Sequence, residues 1–234
     1  MSAKHKALII GGGRIGAGFG GWADNSYTHA GAYKALADRV DLLGFVEPNP
    51  ERAGAAKRKW LLPAYDDLAD ALDYVKPDVV SICTGPDDRA EILSIVDACP
   101  SIKALWVEKP WRGSYPRQPV QVNFLRRADF RHMLIRDDKS GGSLIVYGKD
   151  DETTRCHFED LVRFWNCKLD YRPFKGPCAY LYIPPIGLSD DSDVSWFDNG
   201  GINPGECMKG MLENLLDHLD KGTPLYSPLE RTSK

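Results

Sequence analysis

The sequence lacks any long apolar run and any strong excess of one charge. No stretch approaches the roughly 20 apolar residues that a membrane-spanning helix needs, so we expect no membrane segment. The formal net charge is -3 and no stretch is strongly basic, which argues against nucleic acid or an anionic membrane surface as a partner.

Paired cysteine motifs are also missing. The chain has 6 cysteines, but no two form a C-x-x-C pair, which argues against a zinc ribbon or a thioredoxin-type site, and we predict no metal. Residues Met1 to Lys6 are polar and show no apolar targeting core. We therefore expect a cytoplasmic protein with reduced thiols.

What the chain does have is 43% hydrophobic residues, enough for a substantial core, arranged as short apolar runs that alternate with helical stretches. The predicted strands are Lys6–Ile10, Val40–Val46, Val79–Cys83 and Ala104–Val107. The predicted helices are Ala30–Leu36, Pro50–Trp60, Asp67–Tyr74 and Asp87–Ala98. This alternation predicts an α/β fold with a right-handed, doubly wound parallel sheet, as in a Rossmann domain.

The alternation ends beyond Pro110. The elements predicted there are strands at Val120–Leu125 and Ser143–Tyr147, a helix at His157–Trp165, strands and loops over Lys168–Val194, and an amphipathic helix at Met208–Leu219. We predict a nucleotide-binding domain over residues 1–118. A smaller, truncated α+β domain for substrate binding or oligomerisation would follow over residues 119–234.

A glycine-rich loop follows the first predicted strand. Gly11, Gly13 and Gly16 satisfy G-x-G-x-x-G, with Arg14 and Ile15 between the last two glycines. Gly11 would permit the tight turn, Gly13 the approach of a pyrophosphate, and Gly16 close packing of helix on strand. The helix N-terminus would add free N–H groups and partial positive charge. The alternative is a glycine-rich turn without a ligand.

Glu47 ends the second predicted strand. A carboxylate there would accept hydrogen bonds from the adenosine ribose and repel the extra phosphate of NADP, so we predict NAD as the cofactor, with NADP disfavoured. An ordinary solvated glutamate is the alternative. Residues Ala17 to Thr28 are too rich in glycine and polar residues for an uninterrupted helix. We interpret them as an inserted loop that covers the cofactor, lines the substrate cleft or simply lies on the surface.

Several motifs together resemble the Gfo/Idh/MocA family of oxidoreductases. They are GGGRIG, Thr28-His29-Ala30, FVEPNPERA (45–53), DVVSICTGPDDRAEI (78–92) and VEKPW (107–111). Weaker similarity continues in NFLRRAD (123–129), HFEDLVRFW (157–165) and ENLLDHLDKGTP (213–224). The resemblance implies hydride transfer to or from a hydroxyl or ketone carbon of a sugar or cyclitol, with the substrate on the second domain's sheet.

Lys109 is the first catalytic candidate. It would lie at the carboxyl end of a parallel strand, where an ammonium can polarise the reacting oxygen, although a plain surface lysine remains the alternative. The resemblance further implies a cis bond before Pro110. We place Thr84 and Pro86 against the dinucleotide, and count Glu108 among the cofactor-binding residues.

The family resemblance places the remaining candidates in the second domain. His157 matches the family's proton-relay histidine, with Asp160 one turn later on the same helix face, and a packing or capping histidine is the alternative. Arg126 and Arg127 match an arginine pair near the substrate, where they would bind a carboxylate or phosphate or else face solvent. Thr153 stands where the family commonly has an aspartate, so the catalytic set is incomplete by sequence.

Three functions fit these observations. The first is an NAD-dependent oxidoreductase acting on a sugar or on a nucleotide-linked sugar of surface polysaccharide metabolism, with a homo-oligomer as one possible assembly. The second is a catalytically silent NAD-binding scaffold or sensor, which Thr153 and the shortened second domain favour. The third is an imine or biliverdin-type reductase on the same fold.

Overall fold

The structure is a computed structural model, and it describes residues 3–21, 25–111, 114–124, 143–148, 152–165, 168–173, 179–183, 195–198 and 203–229. Its internal contacts divide the chain into two units. The first unit combines Met1–Asn123 with Pro204–Lys234, and the second is Phe124–Asn203.

A parallel sheet of six strands forms the centre of the first unit among the described residues. The strands are β1 (His5–Ile10), β2 (Val40–Val46), β3 (Ala64–Tyr65), β4 (Val79–Ile82), β5 (Ala104–Val107) and β6 (Val120–Val122). Their order is β3-β2-β1-β4-β5-β6 and every pairing is parallel. The predicted doubly wound sheet is confirmed. Because the order reverses between β1 and β4, a crevice opens at their carboxyl ends, where such sheets bind ligands.

Short helices connect these strands. They are α1 (Arg14–Ala17), α2 (His29–Ala35), α3 (Pro50–Trp60), α4 (Leu68–Val75) and α5 (Arg89–Ala98), with a 3-10 turn at Asn25–Tyr27 before α2. Asn49 caps the start of α3, because its side chain accepts hydrogen bonds from the Glu51 and Arg52 amides. The helix break predicted at residues 17–28 is confirmed too. It begins at Gly18, whose φ of 76° ends α1, and closes where Thr28 caps α2.

The second unit has an α+β composition. It contains β7 (Ser143–Gly148), α6 (Glu152–Trp165), β8 (Lys168–Pro173), β9 (Ala179–Ile183) and β10 (Ser195–Asp198). The strands form a sheet in the order β10-β9-β7-β8, in which only β7 and β8 are parallel among the described strands. Leu144 and Val146 of β7 are buried, as are Phe158 and Leu161 of α6, so the helix and the sheet form one small core.

The division of the chain differs from the predicted boundary at residue 118. The strand β6 extends the first sheet, and the last helix, α7 (Pro204–Lys221), packs on α2 and β5 of the first unit. Met208, Met211 and Leu215 are fully buried there, so the amphipathic face predicted for α7 has its partner in the Rossmann unit. The segment after α7 returns to pair with β6, where the Val122 amide donates to the Ser227 carbonyl at 2.9 Å.

Within the described ranges, no helix combines the length and the apolar character that crossing a membrane would require.

Candidate active site

A cavity of about 350 Å³ lies at the carboxyl ends of β1, β2 and β4. Four predicted cofactor residues line it, namely Gly11, Gly13, Glu47 and Thr84. Arg52, Asp66 and Asp88 line it as well, and sequence reasoning missed all three because they come from separate helices and loops. Arg14, Ile15, Gly16 and Pro86 are not among the lining residues, so their predicted contact with the dinucleotide stays a prediction.

The glycine loop has the local geometry that the motif predicts. Gly11 has a φ of 100°, which an L side chain rarely adopts, and its amide donates to the Val46 carbonyl at 2.8 Å. A Cβ on Gly16 would overlap the Gly11 carbonyl oxygen, whereas a Cβ on Gly13 would meet nothing within 4 Å. Gly16 therefore permits close backbone packing, and Gly13 borders open space.

The helix behind this loop is a single turn long. α1 has 4 residues and ends at Gly18, before the chain resumes a helix at His29. A single turn aligns few peptide dipoles, so the partial positive charge that we expected at its N-terminus is small. Any phosphate bound here depends on the loop amides themselves.

The Glu47 carboxylate is held in place by backbone amides. Its Oε2 accepts from the Gly12 amide at 2.8 Å and its Oε1 from the Asn49 amide at 3.0 Å. The residue is 5% exposed and lines the cavity. Both carboxylate oxygens are thus oriented before any ligand arrives.

Lys109 lies two residues beyond the end of β5. The predicted cis bond joins it to Pro110. Its Nζ is 3.6 Å from Oε2 of Glu108, and its side chain is 18% exposed, against 6% for that of Glu108. The ammonium is therefore the accessible end of an otherwise buried ion pair.

Glu108 has interior partners and does not line the cavity. Its Oε1 accepts from Nε2 of His29 at 3.1 Å and from Nδ2 of Asn123. Burial alone raises the pKa of Glu108, but the His29 hydrogen bond, the Lys109 charge and the Asn123 amide outweigh burial and lower the pKa to about 2. Glu108 is therefore a carboxylate at neutral pH.

His29 and Ser81 were not predicted as site residues. Both are fully buried, Nδ1 of His29 lies 3.1 Å from Oγ of Ser81, and the His29 ring lies 3.8 Å from that of Trp106. A polar residue within the buried strand VVSI and a histidine at the start of an apolar helix were the available signals. Buried polar groups need partners, so the two could have been expected to meet.

Arg89 was missed for a different reason, since nothing in its position near the start of α5 indicates burial. It is 1% exposed, and its Nη2 donates to the Thr84 carbonyl at 2.9 Å while Nη1 donates to the Pro110 carbonyl. Arg89 thereby ties the loop after β4 to the loop that carries Lys109.

Acid should destabilise the protein through His29. Burial lowers the pKa of His29 below its ordinary 6.5. Just below pH 6.5, His29 is therefore protonated in the unfolded chain but still neutral in the folded chain. Its contribution to stability is complete above pH 6.5 and falls with acidification, by up to about 1.4 kcal/mol per pH unit. Urea unfolding between about pH 7 and about pH 5 should show this slope, and His29→Leu should flatten it. An equal slope in both proteins would contradict the assignment.

The predicted second-domain residues are less completely described. α6 begins at Glu152 and not at His157, and it includes Asp160, which is 4% exposed. The side chains of His157 and Thr153, and all of Arg126 and Arg127, lie outside the described residues. The roles of His157, Asp160, Arg126 and Arg127 stay predictions.

In the described part of the chain, no group of three or more His, Cys, Asp or Glu side chains is arranged to hold a metal ion.

A family model described as "Oxidoreductase family, NAD-binding Rossmann fold" matches residues 5–115. Residues 5–115 are a Gfo/Idh/MocA domain. For these residues the predicted family, the fold class and NAD as the cofactor are confirmed, and the activity is confirmed at the level of an oxidoreductase. The preference for NAD over NADP stays a prediction. None of the curated proteins matches this sequence.

Solved structures share the fold of this protein at low identity. The WlbA dehydrogenase from Bordetella pertussis, in complex with NADH and UDP-GlcNAcA, is 13% identical with a TM-score of 0.69, over 97% of this chain and 91% of that chain. Myo-inositol 2-dehydrogenase from Lactobacillus plantarum is 13% identical with a TM-score of 0.69, over 94% and 91%. The transcriptional regulator Gal80p from Kluyveromyces lactis is 9% identical with a TM-score of 0.65, over 92% and 84%. At these identities the likeness concerns the fold alone.

Proposed function

We propose that this protein is an NAD-dependent oxidoreductase that transfers a hydride to or from a hydroxyl or ketone carbon of a sugar or nucleotide-sugar. The observation that carries the proposal is Lys109, an accessible ammonium at the carboxyl end of the sheet, on the same edge as the glycine loop. Sugar and cyclitol dehydrogenases among the similar structures support the substrate class.

Each residue then has a defined task. The loop amides from Gly13 to Gly16 bind the pyrophosphate, since those of Gly11 and Gly12 already donate to Val46 and Glu47. Glu47 accepts hydrogen bonds from the adenosine ribose. The bound nicotinamide supplies the hydride acceptor or donor. Lys109 polarises the reacting oxygen, and His157 exchanges the proton. The Thr84 loop forms part of the cofactor wall.

Calorimetry with NAD and NADP tests the cofactor half of the proposal. The nicotinamide absorbance, followed with cyclitols, hexuronic acids and UDP-linked sugars, tests the reaction. Tight NAD binding with turnover of one substrate class is the expected result. NAD binding without turnover of any member would refute the reaction and favour the second candidate, a silent NAD-binding sensor. Thr153 at the family's aspartate position and the fold shared with the regulator Gal80p favour that candidate.

Glu47→Ala should weaken NAD binding by about tenfold and leave NADP binding nearly unchanged. The ratio of NAD affinity to NADP affinity should therefore fall by about tenfold. The ribose loses an ionic hydrogen-bond acceptor, while the 2'-phosphate of NADP no longer meets a carboxylate. Titration calorimetry with both nucleotides measures the ratio. Asp66→Asn is the matched control, because it removes a carboxylate from the same cavity wall. Comparable NAD and NADP affinities in the unmutated protein would contradict the role of Glu47.

A further inference from the structure

Three buried side chains connect the interior of the first unit to Lys109. Ser81 of β4 lies 3.1 Å from Nδ1 of His29, and Nε2 of His29 lies 3.1 Å from Oε1 of Glu108. We call Ser81, His29 and Glu108 the His29 triad. From outside the triad, the Tyr33 hydroxyl lies 2.9 Å from Oγ of Ser81.

The protons of the triad have one consistent arrangement. An ionised Glu108 can only accept, so Nε2 of His29 carries a hydrogen and Nδ1 is the acceptor. Ser81 then donates its single proton to Nδ1, and its oxygen accepts from Tyr33. A neutral histidine with a fixed tautomer agrees with its burial, which disfavours the charged form.

This arrangement divides the two oxygens of Glu108 between different tasks. Oε1 takes the neutral donors, His29 Nε2 and Asn123 Nδ2. Oε2 is left to face Nζ of Lys109 at 3.6 Å. Trp106 packs against the His29 ring, so the ring that fixes Oε1 is itself held by the core.

A buried carboxylate costs free energy unless it is paired and hydrogen-bonded. Apolar side chains would fill the same space at lower cost, so the buried polar groups of the triad indicate a functional role. Among the described residues, Arg89 from α5 and Cys83 after β4 also interact electrostatically with the Glu108 carboxylate. Of the groups that face Glu108, Lys109 is the one whose ammonium forms an ion pair with Oε2.

We propose that His29 is a positioning residue for Lys109: it fixes the Glu108 carboxylate so that Oε2 holds the ammonium where the substrate oxygen will lie. The inference rests on the proposed function in one respect, namely that Lys109 acts on the substrate. A hydrogen bond at one end of a carboxylate thus sets the position of a charge at the other end.

A measurement without substrate tests the positioning directly. Reductive methylation with 13C-formaldehyde gives each lysine a methyl resonance, and Lys109→Arg assigns that of Lys109 by its disappearance. The Lys109 resonance should move in His29→Leu and keep its place in Tyr33→Phe. Tyr33→Phe is the matched control, because it removes a buried hydrogen bond but leaves Ser81 free to donate to His29.

Kinetics with the sugar substrate supply the second readout. His29→Leu should lower kcat by about tenfold to a hundredfold while the Kd for NAD stays the same, since only the alignment of Lys109 is lost. In a Lys109→Met background the same substitution should have little further effect. His29→Gln, whose amide still donates a hydrogen bond, should recover part of the rate.

Should His29→Leu fail to fold, His29→Ala replaces it, because it removes the hydrogen bond to Oε1 of Glu108 and adds no bulk. If the Lys109 resonance does not move in the folded His29 variant, the inference is overturned. It is also overturned if His29→Leu lowers kcat as much in the Lys109→Met background as in the unmutated protein. Failure of the proposed function looks different: the unmutated protein turns over no sugar, while the resonance still moves in His29→Leu.

Discussion

Lys109→Met should lower kcat/KM for the sugar substrate by about 10³-fold and leave the Kd for NAD unchanged. The thioether side chain has nearly the length of lysine but has no charge to stabilise the developing oxyanion, and removing such a group costs about this much. NAD affinity should persist because the residues that line the nucleotide cavity do not include Lys109. Steady-state kinetics and calorimetry on the same preparation measure both quantities.

This substitution also leaves Glu108 without its cation, so stability must be followed alongside the rate. A buried carboxylate that loses its partner destabilises the fold, and its pKa rises towards the ordinary range. Lys109→Arg is the control, because it retains the ion pair but places the charge differently, and it should keep more stability than activity. Turnover that survives in Lys109→Met would show that Lys109 is not the catalytic cation.

The glycine loop and Glu47 could be predicted because their function is local in sequence. A tight turn, a close backbone approach and a strand end are properties of a few consecutive residues. Gly11 has the positive φ of the tight turn, and Gly16 permits the close approach. Four of the six strands, namely β1, β2, β4 and β5, followed from the same kind of information, since each reads as a short apolar run. The two-residue strand β3 was not predicted, and β6 was assigned to the second domain. The inserted break after Ala17 was visible as well.

The His29 triad could not be assembled from the sequence. His29 and Glu108 are 79 residues apart, and only the packing of α2 over β4 and β5 brings them together. A histidine in an apolar helix signals a partner but does not say which one. The amphipathic pattern of α7 also gave only part of the answer. It predicted the buried face correctly, but it did not indicate that this face packs on the Rossmann unit.

Gly16→Ala and Gly13→Ala should separate folding from nucleotide binding within one loop. In Gly16→Ala the new methyl overlaps the Gly11 carbonyl oxygen, which is backbone and cannot rotate away. The loop must shift, so we expect a loss of about 3 kcal/mol in the free energy of unfolding and NAD affinity weakened by more than a hundredfold. Gly54→Ala in α3 is the control, because it adds the same methyl to a helix and should stabilise slightly.

Gly13→Ala should have the opposite balance. Its methyl meets no atom within 4 Å, and the φ of -72° is compatible with alanine, so the free energy of unfolding should stay within about 0.5 kcal/mol of the unmutated value. The methyl occupies the space that a pyrophosphate needs for hydrogen bonds to the loop amides, so NAD affinity should fall by tenfold or more, about 1.4 kcal/mol. Thermal unfolding with and without NAD measures both effects. If NAD raises the melting temperature of Gly13→Ala as much as that of the unmutated protein, the added methyl does not obstruct the phosphates. The phosphates would then bind away from Gly13.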